Sequence, residues 1–216
     1  MQRRDFSRSL LAAGTTAVGA AAGLTLTPAL AQRAALQEGN HYVRLPAPAP
    51  VQSPAGQIEV VEFFAYTCGF CYQFEPMLHA WEQKKPADVK LRRVPVGFSR
   101  EFVPLQQLFF TLEAMGQIDA LHPKIFQAIH GDREPLITPP VILEWVVKQG
   151  VDRARYSEIA TSEAIGRKIA DAIRLHDAYG VEGTPSLGVA GKYCVKGQGA
   201  QTLVIADALI AEVRKA

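Results

Sequence analysis

The sequence predicts an α/β fold split into two halves by a block of helices, and three observations carry that prediction. An apolar run of strand character at residues 58–66 leads directly into Cys68 and Cys71, spaced C-x-x-C, where an amphipathic helical pattern begins. Residues 99–176 then read as successive helices and nothing else. After Gly180 the pattern returns to two short strands and a closing helix. A chain of 216 residues that is 48% hydrophobic has the length and composition to bury a full core.

The N-terminal residues 1–31 read as an export signal. Arg3-Arg4-Asp5-Phe6 resembles the twin-arginine consensus, an Ala-, Gly- and Thr-rich run follows, and Ala29-Leu30-Ala31 is a small-x-small cleavage site. An uncleaved anchor is the competing reading, because residues 10–31 are just long enough to span a bilayer. Either way the globular part lies outside the cytoplasm, where disulfides persist. Cleavage before Gln32 removes Arg3, Arg4, Arg8 and Asp5, which takes the formal charge from +2 to about zero. That balance gives no reason to expect a nucleic-acid or anionic-membrane partner.

Residues 41–45 alternate as a short strand, and Pro46, Pro48, Pro50 and Pro54 make the next stretch an extended loop. The strand at 58–66 is apolar on both parities, as in a strand covered on both faces. Glu62 interrupts it and must be solvated, paired or protonated. The helix after the cysteines carries Phe74, Met77, Leu78 and Trp81 as its core stripe, with a kink expected at Pro76 and Glu75 expected at the surface. Residues 89–96 form the next strand, with Lys90, Arg92 and Arg93 as a solvated face.

Within the helical block, Pro104 and Pro140 suit first turns, Asp152 suits an N-cap, and Gly116, Gly131 and Gly150 mark ends. His122, His130 and His176 are scattered and read as helix-surface residues. Residues 187–190 and 193–195 flank Gly191-Lys192 as a hairpin, and residues 203–213 close the chain as a helix. Cys194 has no evident partner, so it is either a buried thiol or an exposed one open to a dimer or mixed disulfide.

The C-x-x-C spacing at a helix start carries the chemistry. Cys68 falls at the N-terminus, where free N–H groups and the helix dipole favour thiolate, and it can close a small disulfide with Cys71. Zinc needs four ligands, and the chain offers one further cysteine and no second C-x-x-C or H-x3-H pair. A merely structural disulfide over so short a loop would restrict the unfolded chain little. Redox exchange is the reading that remains strongest.

The order strand, C-x-x-C, helix resembles the thioredoxin superfamily. Glu62-Phe63-Phe64 followed by Cys68-Gly69-Phe70-Cys71-Tyr72-Gln73-Phe74-Glu75 resembles its disulfide-oxidase branch, the DsbA family of bacterial envelopes. The resemblance implies a thioredoxin-like fold from residues 41–98 and 177–216 with an inserted helical domain at 99–176. It implies that Cys68 forms the mixed disulfide, that Cys71 is its buried partner, and that Glu62 relays a proton beneath them. It further implies a cis bond at Pro185 in the Gly180-Val181-Glu182-Gly183-Thr184-Pro185-Ser186 loop, with Thr184, Gly69 and Phe70 meeting substrate.

The activity so implied is disulfide donation in the periplasm, by a monomer, to unfolded exported proteins with free cysteines. A membrane quinone-linked reoxidase of the DsbB type is the implied recycling partner, and neither cofactor nor metal is called for. One departure stands out. The family usually carries Pro-His between its cysteines, whereas Gly69-Phe70 offers no side-chain donor or charge to a thiolate, which implies a milder oxidant. A periplasmic reductase or isomerase, and a carrier holding a soft metal such as Cu(I) on the cysteine pair, are the alternatives.

Overall fold

The computed structural model describes residues 36–215, so the export-signal reading of residues 1–31 lies outside the described residues. Strand β1 (Tyr42–Arg44) is followed by β2 (Ile58–Phe64), helix α1 (Gly69–Glu82) and β3 (Val89–Pro95). A 3-10 turn leads into α2 (Val103–Ala114), α3 (Ile118–Phe126), a π turn at Gln127–Gly131, α4 (Pro139–Lys148), α5 (Arg153–Ala160) and α6 (Glu163–Ala178). The chain closes with β4 (Ser186–Val189), β5 (Tyr193–Lys196) and α7 (Ala200–Val213).

The five strands form one mixed sheet in the order β1-β5-β4-β2-β3. Only β2 and β3 run parallel, joined through α1, and their register sets Glu62 opposite Arg93. All of β2 is buried, as its unbroken apolar run predicts. Ile58 and Val60 pack with Phe74 and Leu78 of α1 and with Ile205 and Leu209 of α7. A second cluster runs from Val61 and Phe63 to Leu108, Phe109, Ile125 and Trp145, so the sheet and the helical block share a core.

Local chemistry starts and stops the helices as expected. The Asp152 carboxylate accepts the N–H of Arg155 at 2.7 Å, and Ser162 caps α6 in the same way. Gly150 and Gly180, at φ +88° and +61°, end α4 and α6 in the left-handed conformation that glycine adopts freely. Pro76 lies inside α1, whose span is otherwise continuous. Among the described residues, no helix is long and apolar enough to cross a membrane.

Candidate active site

Cys68 is the N-cap of α1. Its extended backbone lets Sγ fold back over the first turn, where it accepts the N–H of Cys71 at 3.3 Å. Both cysteines are free thiols in this structure, Cys68 half-buried and Cys71 fully buried. The Cys71 thiol bonds to Cys68, and this bond does most to draw the Cys68 thiol down to about 5. Burial opposes the shift, while Thr184 and the N–H groups of Cys71 and Phe70 reinforce it. The same Cys68 bond, followed by burial, pushes the Cys71 thiol far up. One sulfur is thus a ready thiolate and the other a retained thiol.

The loop before β4 completes the rim. The Thr184-Pro185 peptide is cis, and the Thr184 carbonyl accepts the Cys68 thiol at 3.3 Å. Gly197 permits this approach, since a Cβ there would sit 2.5 Å from the Pro185 carbonyl oxygen. Gly69 opens α1 and Phe70 is 73% exposed beside the sulfur. A groove of about 680 Å³ extends from this rim, lined by Phe70, Met77, Leu45, Thr184, Pro185 and Cys194. Cys194 is buried, and burial pushes its thiol up to about 11, so of its two sequence readings the buried thiol holds.

Glu62 lies deeper and is wholly buried, which overturns the solvated reading. Its Oε2 is 3.4 Å from Nε of Arg93. Burial raises its carboxyl to about 8 and the charge of Glu75 adds to that, with Arg93 opposing. The surface expectations for Glu75 and Arg93 are also corrected. Glu75 is buried on the same helical face as Cys71, one turn on. Arg93 reaches inward from the edge strand to Glu75 and Glu82, each at 3.1 Å, as well as to Glu62. The parallel pairing of β2 with β3, in which the fifth residues of the two strands face each other, could have supplied the signal, because a buried glutamate in β2 favours a cation at the facing position of β3.

The histidine expectations change too. His122 is buried, its Nδ1 2.7 Å from the Tyr66 hydroxyl and its Nε2 3.4 Å from Oε2 of Glu75. Burial pushes the Glu75 carboxyl up, but His122 and Arg93 outweigh it and hold Glu75 below the usual carboxylate range. His130 donates from Nε2 to the Tyr66 carbonyl at 2.8 Å and stacks on Tyr72. His176 is buried against Phe98. One atom from each of Glu62, Glu75 and His122 lies within 4.8 Å of the others.

The chain is similar to known proteins over most of its length. A family described as the DSBA-like thioredoxin domain matches residues 99–209, the helical block and the C-terminal half. The thiol:disulfide interchange protein DsbA of Bordetella parapertussis is 38% identical over 220 residues, covering 100% of both chains. That of Azotobacter vinelandii is 42% identical over 182 residues, covering 82% of this chain and 85% of its own. The crystal structure of Pseudomonas aeruginosa DsbA superposes with a TM-score of 0.79 at 38% identity, covering 83% of this chain and 95% of that one. The Xylella fastidiosa oxidoreductase DsbA gives 0.79 at 29% identity, covering 84% and 99%.

Proposed function

The chain belongs to the DsbA family of thioredoxin-fold thiol:disulfide oxidoreductases, and on that premise we propose that Cys68 and Cys71 are its exchanging pair. The protein acts in the periplasm, and its disulfide passes to exported proteins that carry free cysteines. The observation that carries this reading is the inequality of the two sulfurs, one capping α1 as a thiolate at the mouth of the groove and the other buried.

A substrate thiolate attacks Sγ of Cys68, the Cys68–Cys71 bond breaks, and Cys71 leaves as a thiolate that takes a proton from Glu62. A second substrate thiolate then attacks the substrate sulfur of the mixed disulfide and expels Cys68. Both sulfurs end reduced, and the substrate gains one disulfide. The low proton affinity of Cys68 makes it a good leaving group for the second step. The Thr184 backbone beside the sulfur and the exposed Phe70 ring hold the peptide, with the groove taking its apolar side chains. Reoxidation of the pair falls to a membrane quinone-linked partner of the DsbB type.

The test is the reduction potential of the pair against glutathione in a Cys194→Ser background, read from the fluorescence of Trp81 on α1. A value near or above about −180 mV is expected of a disulfide donor. A value near about −270 mV would refute donation in favour of a reductase.

A further inference from the structure

We propose that His130, in the π turn of the helical block, is a positioning residue for Cys68: it holds the turn that carries the cysteine and so sets how far the thiolate is stabilised. The proposal rests on Cys68 as the exchanging sulfur. Cys68 is reached through a tight turn, Ala65-Tyr66-Thr67-Cys68, closed by the Cys68 N–H donating to the Ala65 carbonyl at 3.0 Å. Types I and II of such a turn differ by a flip of the central peptide, here the one between Tyr66 and Thr67. The carbonyl of that peptide is the atom His130 binds, with Nε2 donating at 2.8 Å. Among the described residues no backbone N–H donates to that oxygen, so the imidazole does what a strand partner would do.

The π turn is what places the ring there. After Phe126 the helix widens by one residue, and the Asp132 N–H donates to the Gln127 carbonyl, five positions back, at 2.9 Å. The Tyr72 hydroxyl donates to Oε1 of Gln127 at 2.9 Å, and Nε2 of Gln127 donates to Asp132 at 3.0 Å. Gly131 leaves room for that amide, which a Cβ would strike. The His130 ring lies flat on Tyr72, with centroids 5.1 Å apart and planes 13° apart. One turn thus grips both the residue after Cys71 and the peptide before Thr67, and the C-x-x-C is held between the two grips.

The grip reaches the sulfur through the backbone. Cys68 has φ −85° and ψ 113°, the extended N-cap conformation in which Sγ folds back over the first turn of α1. The N–H groups of Cys71 and Phe70 stabilise the thiolate only while Sγ stays over them. A flip of the Tyr66–Thr67 peptide would move the cysteine relative to those donors. The bond is indifferent to the charge of His130, because a carbonyl only accepts and Nε2 carries its hydrogen in the matching neutral tautomer and in the imidazolium alike. His130 therefore acts by position, through the Tyr66 carbonyl.

The test reads the Cys68 thiolate from its ultraviolet absorbance as reduced protein is titrated through acid pH, and measures the exchange equilibrium with glutathione beside it. His130→Phe keeps a ring on Tyr72 and removes the donor. It is expected to weaken thiolate formation about fivefold and to move the glutathione equilibrium about fivefold toward the protein disulfide, which is about 20 mV for a two-electron couple. His130→Gln, whose side-chain N–H can reach the place of Nε2, is expected to return both values to within about twofold of the wild type. His130→Leu is read with the same expectations if the phenylalanine variant does not fold. Unshifted values in the variant without a donor overturn the proposal, and so does an equal shift in His130→Gln, which would assign the effect to packing. A wild-type protein with no thiolate titrating below neutral pH fails the premise, whereas a wild-type titration near about 5 with an unshifted His130→Phe fails the role of His130 alone.

Discussion

Replacing Glu62 by Gln should stabilise the reduced protein, and by an amount that depends on pH in a defined way. An ordinary glutamate titrates at 4.5, whereas burial holds this one at about 8. The folded state therefore binds a proton that the unfolded state has released between those two values, and stability is lost as pH rises through that window. Each tenfold change in proton affinity is worth about 1.4 kcal/mol, so the native carboxyl costs about 3 kcal/mol at pH 7 and about 4 at pH 8. Glutamine keeps the shape and removes the titration. Arg93 retains Glu75 and Glu82, which limits the offsetting loss. Urea unfolding of both proteins at pH 5, 7 and 8 should show curves nearly matched at pH 5 and a gain of about 2–3 kcal/mol for the variant at pH 7, widening at pH 8. Equal pH dependence in the two proteins would refute the assignment of a buried, proton-holding Glu62.

Two further outcomes follow from the same geometry. Alkylation of the native reduced protein by iodoacetamide should modify Cys68 alone, with a rate that rises through about pH 5, while Cys194 reacts only after unfolding; peptide mass mapping across pH 4–8 checks both. Arg93→Met should cost about 2–3 kcal/mol at pH 7, below the usual penalty for breaking a buried pair because Glu62 is already neutral, and it should cost more at pH 8 than at pH 5. A flat cost across that range in denaturant titrations would remove Arg93 from the charge cluster.

What was legible in the sequence was the part written in local signals. Cys68 and Cys71 at a strand-to-helix junction, the glycine and proline punctuation of the helical block, and the loop around Pro185 each depend on neighbours within a few positions. The inward turn of Arg93 depends on Glu62, the residue facing it across the β2–β3 register, and on Glu75 in the helix between. His122 becomes a buried partner of Glu75 because α3 packs beside α1, a relation that the α3 sequence does not contain. Lys-Leu-Arg-Arg in β3 has the same alternation whether its cations reach water or a carboxylate. Burial of a charge is a property of the pair, and only the pairing strand or helix reveals it.

The Gly69-Phe70 pair alters how the thiolate is held more than whether it is held. No imidazole lies between the cysteines, yet Cys68 still titrates at about 5, because the Cys71 thiol and the N–H groups of Phe70 and Cys71 supply neutral donors at a helix start. Stabilising the Cys68 thiolate stabilises the reduced pair, and that is what makes a disulfide easy to give away. Neutral donors supply less than a cation would, so the oxidising power should survive in reduced measure. The position that could have carried the charge carries an exposed aromatic ring at the mouth of an apolar groove. Under the proposed function, Phe70 trades electrostatic help for contact area with the apolar side chains that an unfolded substrate would leave uncovered.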